Sequence, residues 1–70
     1  MEPIEAVVAV LREEDRPLHW TVIQDLALRR GYLDPFTAPD VRKRLLGALA
    51  EAVRAGTLIR DARGVYRLAP

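Results

Sequence analysis

The chain contains no cysteine. No disulfide can staple it and no thiolate zinc site can form, so the fold has to rest on apolar burial alone, as is usual for intracellular domains. Its 70 residues make one domain, and a domain of that size buries only about 60% of the surface its unfolded chain exposes. The composition, 50% hydrophobic and 30% charged, is globular and too apolar for a disordered chain. The longest uninterrupted apolar run, Ala6 to Leu11, has six residues, against the ~18 that a membrane span needs. Glu2 and Glu5 are out of place in the basic opening of a signal peptide. The expectation is a single cytoplasmic domain over residues 1–70.

Charge is uneven along the chain. Residues 1–15 carry five acidic side chains against Arg12 alone, whereas residues 16–70 carry ten basic against five acidic. Such a split suits a basic face toward nucleic acid, although solvated surfaces also carry uneven charge.

Pro3 suits a first helical turn, and Ile4, Val7, Val8 and Leu11 then fall on one helical stripe. The helix should stop near Glu14, because Pro17 disfavours helical geometry in the residue before it. Leu18, His19 and Trp20 read as a short extended segment. Thr21 with Gln24 has the spacing of a capping box and opens a second helix, closed at Gly31 by a left-handed residue. Its apolar set of Val22, Ile23, Leu26, Ala27 and Leu28 is too wide for one stripe, so a leucine is expected to show to solvent or to a partner. Tyr32 to Phe36 form a connector whose two aromatics are expected to tuck under the helices. Thr37 with Asp40 resembles a second capping box, with Pro39 in the first turn of a third helix. At 100° per residue, Val41, Leu45, Leu46, Ala48, Leu49, Ala52 and Val53 gather on one side of it, and Lys43, Arg44, Gly47, Glu51 and Arg54 on the other. Arg42 falls toward the apolar flank with its head outward. Gly56 closes this helix, and Thr57 to Asp61 and Val65 to Leu68 read as strands around Ala62-Arg63-Gly64, with Gly64 free to take a positive φ.

The resulting fold class is mainly α with a small β-hairpin. Three helices, a short strand between the first two and a two-stranded wing at the end follow the order of a winged helix-turn-helix. The residues Arg16-Pro17-Leu18-His19-Trp20, Ile23, Ala27, Leu28, Gly31, Thr37 with Pro39 ahead of a basic helix, and Arg63-Gly64-Val65-Tyr66 with Leu68 resemble the HARE-type winged-helix domain over nearly the whole chain. Ala38 stands between Thr37 and Pro39, where that family has Thr-Pro directly. The family occurs beside restriction endonucleases, in chromatin proteins and in the delta subunit of bacterial RNA polymerase. The resemblance therefore implies a non-catalytic module for DNA or for the transcription machinery.

Residue inventory argues against an enzyme. The chain has no Ser, Cys or Asn and one His, so Ser and Cys nucleophiles with their triads are absent and no His cluster can hold zinc. No cofactor or metal is expected. Glu13, Glu14 and Asp15 diverge around a helix end and read as solvated charge. His19 reads as packed beside Trp20 with one nitrogen bonded locally, Trp20 as the anchor of the core, and Tyr66 as packed inward with its hydroxyl wet. The expected DNA-binding residues are Lys43, Arg44, Gly47 and Arg54 on the third helix, entering the major groove, and Arg60, Arg63 and Arg67 on the hairpin, touching phosphate or the minor groove. Glu51 in their midst argues for an ordinary solvated face. The other reading is a protein-interaction module docking on RNA polymerase or a sister subunit through the first helix and the spare apolar positions Val10, Leu26 and Leu28. A homodimer stays open in either case.

Overall fold

A computed structural model describes residues 1–36 and 39–70 of the chain. Its elements run α1 (Pro3–Glu14), β1 (Leu18–His19), α2 (Trp20–Arg29), α3 (Val41–Ala55), β2 (Leu58–Ala62) and β3 (Val65–Leu68). Three helices thus join one antiparallel sheet with strand order β1-β3-β2. The sequence suggested a two-stranded hairpin and a separate short strand, but Leu18 pairs with Tyr66 and His19 with Val65, so the short strand completes the sheet.

Pro3 opens α1 where its missing N–H is not needed. The Glu2 N–H donates to the Glu5 carboxylate at 2.9 Å, a cap that the periodicity of the sequence did not reveal. Inward-facing positions of α1 are Ala6, Val7, Val10 and Leu11. The stripe is thus rotated from the expected Ile4, Val7, Val8 and Leu11, because α1 packs against both α2 and α3 and needs a wider buried face. Val10 is fully buried and presents nothing to a partner.

At the start of α2 the expected Thr21 cap gives way to His19. The extended backbone of His19 sets its ring beside the helix, where Nδ1 accepts from the Thr21 N–H at 3.3 Å and lies 2.8 Å from the Thr21 hydroxyl. Thr21 is therefore one residue inside the helix, and Gln24 does not reach back: its buried side-chain oxygen has no donor among the described residues. The other end closes as expected. Gly31 takes φ +75, with Tyr32 N–H donating to Ala27 C=O at 2.9 Å and Gly31 N–H to Leu28 C=O at 3.2 Å, a Schellman motif.

Val7, Val10 and Leu11 meet Ile23 of α2, Leu45 and Leu49 of α3, and Leu18 and Leu58 of the sheet in one buried cluster. Leu26 and Leu28 are both half-buried against it, and the apolar residue that α2 exposes is Val22. Of the connector aromatics, Tyr32 packs on the core but Phe36 is 94% exposed, contrary to the tucked position expected. The Thr37 cap lies outside the described residues. Pro39 precedes the helix rather than opening it, because α3 begins at Val41 with Asp40 as N-cap in left-handed geometry.

Two of the three acidic residues at the end of α1, Glu13 and Glu14, are bound rather than merely solvated. Arg30 donates to the Glu13 and Glu14 carboxylates, each at 2.7 Å, and the Tyr32 hydroxyl donates to Glu13. These bonds fasten the end of α1 to the end of α2. The hydrogen bond from Arg30 holds the Glu14 carboxyl below the usual carboxylate range, and the bond to Glu13 raises the Tyr32 phenol. A depressed carboxylate pKa stabilises the fold above its unfolded value, and that contribution is lost as pH falls through the folded value. Wild type should therefore melt above Arg30→Gln at neutral pH, and the difference should shrink as the solution is acidified below the Glu14 pKa. A constant gap across thermal melts at stepped pH would refute this coupling.

Candidate nucleic-acid interface

The amphipathic division of α3 holds. Leu45, Leu49 and Ala52 are buried, while Lys43, Arg44, Gly47, Glu51 and Arg54 are exposed on the outer side. Lys43, Arg44 and Gly47 share the first turns. Arg54 lies ten residues beyond Arg44, about 15 Å along the axis, and donates to Glu51 three residues before it. Its charge is already answered.

The hairpin divides its arginines. Cross-strand partners share a face and neighbours along a strand alternate. Arg60 pairs with Tyr66 and Arg67 with Ile59, so these two arginines leave opposite faces of the sheet. Arg67 Nε donates to Asp61 Oδ1 at 2.7 Å, across the irregularity that interrupts the register between Arg60 and Ala62. Arg63 occupies the turn and is exposed. Lys43, Arg44, Arg60 and Arg63 are thus the expected cations left without an ion pair among the described residues, whereas Arg54 and Arg67 are tied to carboxylates.

Among the described residues, Arg42, Lys43, Arg44, Arg60 and Arg63 have no carboxylate at ion-pair distance. Around the ends of α1 and α2, by contrast, Arg16 lies 3.5 Å from Glu14, Arg29 is 2.9 Å from Asp25, and Arg30 holds Glu13 and Glu14. Unanswered positive charge therefore gathers at the start of α3 and on the hairpin, with Arg12 of α1 outside that group.

A seam joins these two regions. Gly64 takes φ +75, a conformation that needs glycine in this turn, and its carbonyl accepts from the Trp20 N–H at 2.9 Å. A Cβ at Gly64 would stand 2.7 Å from His19 Nε2 and 3.3 Å from Trp20 Cδ1, so the turn lies directly on these side chains. The His19 and Trp20 rings are 5.8 Å apart, matching the packed histidine expected from the sequence. Over the indole lies the Arg42 guanidinium, 5.1 Å from the ring centroid. Trp20 is consequently half-buried and packed on the flank of the core, not its central anchor. Arg42 is a residue that sequence reasoning left out of the site. Its place on the apolar flank of α3, one position before Lys43, was the available signal.

Among the described residues no group of three His, Asp or Glu side chains converges as a metal site would require. No helix of the described residues is long and apolar enough to cross a membrane. No protein-family model matches the chain, and no curated protein or solved structure is significantly similar to it.

Proposed function

We propose that the chain is a winged helix-turn-helix module that binds duplex DNA without catalysis, with α3 in the major groove and the β2–β3 hairpin as its wing. The element order, the pairing of β1 with the hairpin and the resemblance to the HARE-type domain support this fold reading, and the resemblance suggests a role in transcription regulation. The observation that carries the DNA reading is the concentration of carboxylate-free cations, Lys43, Arg44, Arg60 and Arg63, on the outer side of α3 and on the hairpin. A polar, cationic helix face with small Gly47 in its middle suits close approach to base edges. In this reading Arg44, at the start of that face, reads bases and Arg63, at the turn, meets phosphate.

A titration of labelled duplexes at two salt concentrations tests this. Arg44→Ala should cost ~1–3 kcal/mol on a preferred site and less on random DNA, whereas Arg63→Ala should weaken all sequences alike and lower the salt slope by about one. Unchanged binding in both variants, each shown folded by circular dichroism, would remove the reading. The exposure of Val22 and Phe36, at 39% and 94%, favours a second reading as a protein-docking module of the transcription machinery. In that case Val22→Glu, at the exposed apolar position of α2, should abolish association with a protein partner while leaving the fold intact.

A further inference from the structure

We propose that Arg42, held over the Trp20 indole, binds a phosphodiester of the DNA backbone at the junction of α3 and the hairpin turn. The inference rests on the DNA reading above and adds to it a residue and a positioning device. One indole serves both regions. The Arg42 guanidinium lies over its ring at 5.1 Å, and the same residue holds the hairpin turn: its backbone N–H donates to the Gly64 carbonyl, and a Cβ at Gly64 would stand 3.3 Å from its Cδ1. Trp20 thereby fixes the start of α3 and the turn carrying Arg63 in one arrangement.

A cation–π contact holds the guanidinium over the ring and uses none of its charge on a carboxylate. A guanidinium carries its N–H donors in a planar fork that matches two phosphate oxygens. Because the stack already restrains the side chain, less freedom is lost when an anion arrives. Arg42 is exposed and has no carboxylate at ion-pair distance among the described residues, so the fork is open to a ligand. Lys43 follows it on α3, and Arg63 belongs to the same turn as Gly64, whose carbonyl accepts from the Trp20 N–H. Unanswered cations on two neighbouring elements suit the repeating charge of a duplex backbone better than a single acidic side chain.

Trp20 is the one tryptophan of the chain, so its emission reports the stack directly. A fluorescently labelled duplex of scrambled sequence, followed by anisotropy together with Trp20 emission, should be compared for wild type, Arg42→Ala, Arg42→Lys and, as control, Arg29→Ala. Saturating DNA should change the wild-type emission. Arg42→Ala should bind about tenfold more weakly with a salt slope smaller by ~0.9. Arg42→Lys should keep the slope but lose about threefold in affinity, since an ammonium lacks the stacked fork, and Arg29→Ala should match wild type. The assignment is overturned if folded Arg42→Ala binds as tightly as wild type with the same slope, or if emission stays constant while anisotropy saturates. A flat anisotropy trace for wild type is a different result, and it would overturn the DNA reading and this assignment together.

Discussion

Leu49→Ala is expected to lower stability by about 3–4 kcal/mol, the range for truncating a fully buried leucine whose surroundings cannot collapse into the gap. Leu49 has no exposed surface and sits in the cluster where α1, α2, α3 and the sheet meet. A domain of this length has on the order of 4–10 kcal/mol in total, and the chain has no disulfide to hold a weakened core. The melting temperature should fall by about 15 °C or more. Trp20→Ala should cost less, about 2 kcal/mol, although tryptophan is larger, because the indole is only half-buried on the flank of the core and lies under the exposed Arg42. Phe36→Ala should leave the melt unchanged, since that ring is 94% exposed. A Leu49→Ala melt within a few degrees of wild type would contradict this account of the core.

The contrast among these three residues shows what the sequence could and could not convey. Periodicity located α1, α2 and α3, because an amphipathic helix writes its buried face into the spacing of its own residues. It therefore named Leu45, Leu49 and Ala52 as buried and Lys43, Arg44 and Gly47 as exposed. Glycine chemistry likewise marked Gly31, Gly56 and Gly64, each at positive φ. What depended on contacts between distant segments stayed hidden. Nothing in residues 18–19 alone says that they pair with β3, that the His19 ring rather than the Thr21 hydroxyl caps α2, or that Arg30 closes on Glu13 and Glu14. The same holds for the candidate site. Its cations on α3 were legible as a polar stripe, but which arginines were already answered by carboxylates, as Arg54 and Arg67 are, required the fold. Val10, offered as a spare apolar position, is consumed by a three-way packing that no single helix reveals.

Neutralising Lys43, Arg44 and Arg63 together should weaken duplex binding by about a hundredfold to a thousandfold and reduce the salt slope by ~2.7, as three phosphate or base contacts disappear. Neutralising Arg12, Arg16 and Arg29 removes the same formal charge and should do far less. The comparison separates local geometry from bulk electrostatics. The whole chain carries only +1, so either triple variant becomes net negative, and long-range repulsion of DNA rises equally in both. Only the first set consists wholly of cations that have no carboxylate at ion-pair distance among the described residues and lie on α3 and the hairpin. In the second, Arg16 and Arg29 lie beside Glu14 and Asp25, and a phosphate approaching them would have to displace those carboxylates. All six side chains are exposed, so both variants should retain a cooperative melt. Equal losses of affinity would mean that net charge alone governs binding, and the face formed by α3 and the hairpin would lose its claim to be the interface.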